Sequence, residues 1–169
     1  VVDGEILSPS RYEFTELTWI SGLNRMEGDT LFVGDTEAKL AENLSRLAAS
    51  DYLVIDSNRI YGVVPRMTTE YPRSSQVYQP LFDGDLGFEP VFVTGRFPHL
   101  GNIYLNPDFF SWPNLRPPRV VRRYFDDLDG ITLGRVDESF TLFDQSLVMV
   151  FENVGGFSAE ELTEILANQ

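Results

Sequence analysis

The order of the sequence patterns in the middle of the chain constrains its fold more than any other feature. Residues Tyr52–Ile55 form a short apolar run of aromatic and β-branched side chains, which is typical of a buried strand. Apolar side chains then recur at helical spacing over Tyr78–Leu86, and Gly87 follows as a stop. Val91–Thr94 predicts another strand. Strand, loop, helix and strand in this order indicate a βαβ unit.

An earlier stretch predicts a first βαβ unit. Thr30–Gly34 has the pattern of a short strand, and Asp35 and Thr36 offer an N-cap for a helix over Glu37–Ala49. This helix places leucines at i, i+4 and i+7 and leads directly into the strand at Tyr52. A helix is also predicted over Arg11–Leu23, where apolar residues fall largely on one face.

The C-terminal patterns complete the predicted fold. Ser139–Phe143 and Leu147–Phe151 predict an antiparallel pair, and Ser158 begins a capping box for a last helix over Ala159–Ala167. A chain of 169 residues with 43% hydrophobic content is sized for one domain with its own core. We therefore predict a single Rossmann-like α/β domain over residues 1–169. It has a short, mostly parallel sheet with βαβ units, an antiparallel C-terminal hairpin and flanking helices.

The loop after Ile55 is the candidate binding site, because ligands of open α/β sheets usually sit beyond the carboxyl ends of strands. The loop is dense in arginine and tyrosine. Arginine pairs bidentately with phosphate or carboxylate, and tyrosine stacks on a sugar face. The alternative is a packed loop whose arginines are satisfied internally. The candidate binding residues are Asn58, Arg59, Tyr61, Arg66, Tyr71, Arg73 and Tyr78.

A second polar feature is the basic cluster of Arg116, Arg119, Arg122 and Arg123. It could meet lipid phosphates or an acidic partner surface. The alternative, which we favour from the sequence, is internal pairing with the acidic residues at positions 126–129.

Composition argues against several classes of function. Twenty-six acidic residues against thirteen basic ones give a net charge of −13, which disfavours nucleic-acid binding. There are no cysteines, and the only histidine is His99, so thiolate and histidine metal clusters are excluded. Glycine-rich phosphate motifs are missing, and the acidic turns lack the ligand spacing of a calcium loop. We expect no metal and no cofactor. No apolar window is long enough to span a membrane.

Two segments carry a resemblance to a known family. They are SNRIYGVVPRMTTEYPRSSQVYQPLFDGDLGFE at residues 57–89 and DESFTLFDQSLVMVFENV at residues 137–154. Both resemble soluble parts of large bacterial and archaeal polytopic membrane proteins. These include relatives of the dolichyl-phosphate-mannose protein mannosyltransferases and a related uncharacterised multi-spanning family. Gln145 and Ser146 stand where the family usually has His-Pro.

The resemblance implies a non-catalytic accessory domain at the extracytoplasmic face of the cell membrane. The whole protein would be a multi-spanning glycosyltransferase-like enzyme that uses a lipid-linked sugar donor, with its catalytic acids in membrane loops that this chain lacks. The implied partners are the membrane portion of that protein and a saccharide or lipid-linked sugar. A start at Val1 rather than Met fits a domain excised from something larger. The alternative is a free-standing α/β enzyme or saccharide-binding domain that uses the loop after Ile55.

Overall fold

A computed structural model of the chain describes Glu13, Leu17 and residues 22–26, 29–95, 99–106, 115–126, 130–135 and 147–168. Within these residues the strands are β1 (Gly22–Met26), β2 (Asp29–Val33), β3 (Tyr52–Ile55), β4 (Phe88–Thr94), β5 (His99–Leu100), β6 (Ile103–Asn106), β7 (Ile131–Arg135) and β8 (Val148–Asn153). The helices are α1 (Glu37–Ala48), α2 (Tyr78–Asp83), α3 (Arg119–Asp126) and α4 (Ala159–Ala167). Two 3₁₀ turns, Val64–Arg66 and Ser74–Gln76, lie between β3 and α2.

The main sheet has the strand order β3-β8-β4, and both pairings are antiparallel. Val150 at the centre of β8 is the register partner of Val54 on one side and of Phe92 on the other. Strands β3 and β4 therefore run in the same direction but do not pair, because β8 lies between them. The unit β3-α2-β4 is a split βαβ arrangement.

The predicted mostly parallel, Rossmann-like sheet is wrong. Of the five strand pairs in the described part of the chain, four are antiparallel, and only β6 with β7 is parallel. The first predicted βαβ unit is also wrong, because β2 pairs with β1 in a separate two-stranded sheet. The order of elements along the chain was correct for β3, α2 and β4. Their pairing was not, since a strand from far along the sequence inserts between the two.

The strand β8, not β3, is the central strand. Met149 and Phe151 on β8 are fully buried, whereas β3 lies at the edge and alternates, with Leu53 and Ile55 half-buried and Val54 exposed. Val91 and Phe92 on β4 are also exposed. The prediction that Tyr52–Ile55 is a buried strand is therefore wrong, because this strand lies at an edge and only alternate side chains are covered. An edge strand with one covered face buries only alternate side chains.

Two other predictions fall partly outside the described residues. The first strand of the predicted C-terminal hairpin, Ser139–Phe143, lies outside them, and its second strand is the β8 that pairs with β3 and β4. The helix predicted over Arg11–Leu23 is wrong at its end, because Gly22 and Leu23 belong to strand β1. Leu17 packs against the core, Glu13 is exposed, and the rest of that segment lies outside the described residues.

Helices supply the remaining sides of the core, and two of them have the predicted caps. Thr36 caps α1, its hydroxyl accepting a hydrogen bond from the Lys39 amide, while Ser158 and Glu161 form the capping box of α4. Leu44 and Leu47 of α1 and Leu162 and Leu166 of α4 are buried.

Helix α2 is shorter than predicted. It ends at Asp83, where Gly84 in the left-handed region is the C-cap, rather than near Gly87. The Phe82 ring of α2 stacks on Phe151 of β8 at a centroid distance of 5.9 Å, so the helix packs directly on the central strand. An αL glycine at this position satisfies the last carbonyl groups of the helix.

Gly87 has a different role, which is to let two chain segments approach closely. The amides of Val154 and Gly155 both donate to its carbonyl oxygen at 2.9 Å, and its φ is +75°. A Cβ at this position would lie 2.8 Å from the Cα of Gly155. The start of β4 and the end of β8 are therefore joined at a point where a side chain does not fit.

We expect Gly87→Ala to lower the free energy of unfolding by about 3 kcal/mol, because it combines a left-handed backbone with a main-chain clash. The matched control is Gly156→Ala, whose φ is +60° and which has nothing within 4 Å of the added Cβ. The control should cost about 1 kcal/mol from backbone strain alone. Urea unfolding of both variants measures the difference. Equal losses would contradict the close approach.

Candidate functional site

The loop between β3 and α2 is fastened to the start of α1 by Asp35. The Asp35 carboxylate accepts hydrogen bonds from the Arg73 amide at 2.6 Å and from the amide and hydroxyl of Ser74. The Arg73 guanidinium donates back to the Asp35 carbonyl at 3.3 Å and pairs with Glu37 at 2.9 Å. Ser74 is only 2% exposed. Arg73 is therefore part of an internal connection rather than a free ligand-binding group.

Two tyrosines of the candidate set are core residues. Tyr61 is fully buried and Tyr78 is 3% exposed, and each meets the Phe82 ring edge-on, at centroid distances of 5.7 Å and 6.3 Å. Burial raises the pKa of both phenols above the ordinary value, because the ionised form would lose its hydration. Their aromatic faces contribute to packing inside the domain.

The seven candidate residues do not form one exposed cluster. Asn58 is buried, like the two core tyrosines, and Tyr71 is half-buried against the core. Arg59 and Arg66 are exposed. A ligand that approaches the loop in this conformation therefore meets two guanidinium groups, and binding by them stays a prediction.

The acidic and histidine residues do not gather into a metal centre in the part of the chain that the structure describes. No group of three or more His, Asp or Glu side chains lies close enough there to hold an ion. His99 lies on β5, where its ring is tilted against Tyr104 at 5.3 Å.

The most unusual surface is an exposed aliphatic sheet face that we call the small-sheet face. Five aliphatic side chains lie on one side of the sheet β5-β6-β7. The register pairs Leu100 with Ile103, Ile103 with Ile131, and Leu105 with Leu133. Leu100 is 84% exposed and Ile131 is 63% exposed. Contiguous apolar surface of this kind usually marks a place where another molecule binds.

The main sheet has a second exposed apolar surface, the main-sheet outer face of Tyr52, Val54, Phe92 and Val150. The first three are more than half exposed, at 56%, 56% and 53%. The main-sheet outer face was missed because the apolar residues of β3 and β4 were predicted to be buried, and the small-sheet face because no sheet was predicted from β5, β6 and β7. For the main sheet a signal was available: β3 is apolar at every position, which is typical of strands with cover on both sides of the sheet.

Comparison with protein-family models, with curated proteins and with solved structures gives no match. No helix among the described residues is long and apolar enough to cross a membrane. The exposed surfaces of the domain are therefore what indicates a function.

We expect Asp35→Ala to lower the free energy of unfolding by about 2–3 kcal/mol, because it leaves the donors of a buried serine without an acceptor. Arg59→Gln and Arg66→Gln should each change it by less than about 0.5 kcal/mol, as is usual for exposed residues. Thermal and urea unfolding of the three variants tests this difference. A loss in Arg59→Gln as large as that in Asp35→Ala would show that the loop is packed differently.

Proposed function

We propose that the chain is a non-catalytic accessory domain at the extracytoplasmic face of a multi-spanning, glycosyltransferase-like membrane protein that uses a lipid-linked sugar donor. We call that longer protein the parent protein. In this proposal the domain acts by docking onto the membrane portion of the parent protein. It thereby holds its arginine-bearing loop in a fixed place relative to that portion.

The small-sheet face is the observation that carries the proposal. It presents only leucine and isoleucine side chains, with exposures between 41% and 84%, and no charged residue among the five. Full burial of an exposed leucine or isoleucine contributes roughly 1.5–3 kcal/mol, and a partner that covers these partly exposed side chains gains the remaining fraction of that free energy. An exposed apolar surface of this kind is typical of a domain that is permanently docked. In a free-standing domain the same side chains would stay in unfavourable contact with water.

The described parts of the two segments that carry the family resemblance, residues 57–89 and 147–154, lie against each other. Strand β4 at the end of the first segment pairs with β8 in the second, and Phe82 stacks on Phe151. Where the structure describes them, residues of both segments therefore pack against each other in one structural unit. This supports its being the signature of a domain rather than of two unrelated short motifs.

Arg59 and Arg66 are the residues that we propose for contact with a saccharide or lipid-linked sugar of the parent protein. Both are exposed, and a guanidinium group can pair with a phosphate through two parallel hydrogen bonds. The alternative of a free-standing saccharide-binding domain has less support. The rings of Tyr61 and Tyr78, which would have stacked on a sugar, are inside the core.

The decisive experiment places Ile131→Asp and Leu133→Asp together in the parent protein. Transfer of sugar from a lipid-linked donor by membranes should fall about tenfold or more, because a charge on each side chain opposes burial in an apolar interface. The isolated 169-residue chain should keep its melting temperature, since both side chains are at least half exposed.

The single variant Ile131→Asp has a charge-matched control in Val154→Asp, which introduces one carboxylate at a residue that is 55% exposed and lies outside both apolar faces. The control should leave transfer unchanged. Full transfer activity in the double variant would contradict the docking role. Turnover of a glycoside by the isolated chain, abolished by one carboxylate substitution, would contradict the non-catalytic role.

A further inference from the structure

Helix α3 has one buried side and one strongly basic side. Val121 is fully buried and Val120 packs against the core, so the orientation of the helix is fixed. Arg119, Arg122 and Arg123 are exposed, and their spacing of three and four residues places them on neighbouring positions of one helix face. We call these three residues the arginine face.

The arginine face is not neutralised by the acidic residues that the structure describes. Arg46, Arg73 and Arg116 each form an ion pair, with Glu42, Glu37 and Asp83 respectively. None of the three arginine-face residues has an ion pair with a described acid, although acidic residues outnumber basic ones by 26 to 13. Arg116 pairs with Asp83, not with an acid at positions 126–129 as we favoured from the sequence. The side chain of Asp126 and residues 127–129 lie outside what the structure describes, so pairing with them stays a prediction.

Three like charges within one helical turn repel one another unless an anionic partner compensates them. We propose that the arginine face binds the phosphate groups of an anionic phospholipid surface. This inference does not depend on the proposed function, because it uses a different element and a different kind of contact from the small-sheet face.

The choice of partner follows from the chemistry of the side chains and from the charge of the whole chain. Guanidinium groups bind phosphate oxygens through paired hydrogen bonds, and they are more weakly hydrated than lysine ammonium groups. Lipid headgroups diffuse laterally, so they can match three arginines without a preformed pocket. With a net charge of −13, most other orientations of the domain are repelled by an anionic bilayer. Contact through the arginine face therefore also sets the orientation of the domain.

The test is co-sedimentation of the 169-residue chain with phosphatidylcholine vesicles that either contain or lack phosphatidylglycerol. The chain should bind only the anionic vesicles, and added salt should weaken binding because the charges are exposed. A basic residue near an anionic surface strengthens binding about fivefold. The triple variant Arg119→Gln, Arg122→Gln, Arg123→Gln should therefore lose binding by about a hundredfold, and Arg122→Gln alone by about fivefold.

A charge-matched control separates a local effect from a change in net charge. Ala41→Glu, Thr69→Glu and Gln76→Glu together lower the net charge by the same three units at exposed positions on other elements. This variant should bind anionic vesicles nearly as well as the unmodified 169-residue chain. Circular dichroism checks that each variant is folded, and the single Arg122→Gln variant carries the test if the triple variant is not.

Several results would overturn the proposal. The first is that the unmodified chain does not bind anionic vesicles. The second is that the arginine variants bind as tightly as the unmodified chain, and the third is that the charge-matched control is weakened as much as the triple variant. Titration with inorganic phosphate alone distinguishes a lipid surface from free phosphate. Arginine-dependent binding of inorganic phosphate with no binding to vesicles would assign the site to a soluble anion instead. Self-association that disappears in the arginine variants would assign the face to a second copy of the chain.

Discussion

The pairing of β8 with strands on both of its sides is the interaction on which the rest of the structure depends. Its backbone joins β3 and β4, which are separated along the chain by the packed loop and α2. Its inward side chains, Met149 and Phe151, are fully buried, and the stacked Phe82 ring connects α2 to the same strand. Removing β8 from the sheet would leave two unpaired edges and expose the centre of the core.

The position of β8 also determines which residues of the loop face outwards. Because Phe82 lies against β8, Tyr61 and Tyr78 pack around it and are taken into the core. The Asp35 carboxylate then holds the loop at Arg73 and Ser74. Of the candidate binding residues, Arg59 and Arg66 are the ones that remain exposed. The apolar surfaces available for docking lie on the two sheets.

Local features of the fold could be predicted from the sequence, and long-range pairing could not. Helices α1 and α4 are specified by side chains within a few residues of each other, such as Ser158 and Glu161, so their caps were predicted correctly. The apolar run of β8 was also recognised, but an apolar run does not specify its partners. The burial of two candidate tyrosines could not be predicted for a related reason. The local sequence does not show whether a tyrosine binds a sugar or, like Tyr61, packs edge-on against Phe82 in the core.

The most direct test of this account is nuclear Overhauser spectroscopy of the isolated chain, because proton contacts across strands report pairing without reference to function. If β8 is central, backbone protons of Val150 should show cross-strand contacts to both Val54 and Phe92. No contacts should join Val54 directly to Phe92, since two strand spacings of about 4.8 Å separate them. Direct contacts between β3 and β4, with none to Val150, would show an ordinary parallel βαβ unit and contradict the account.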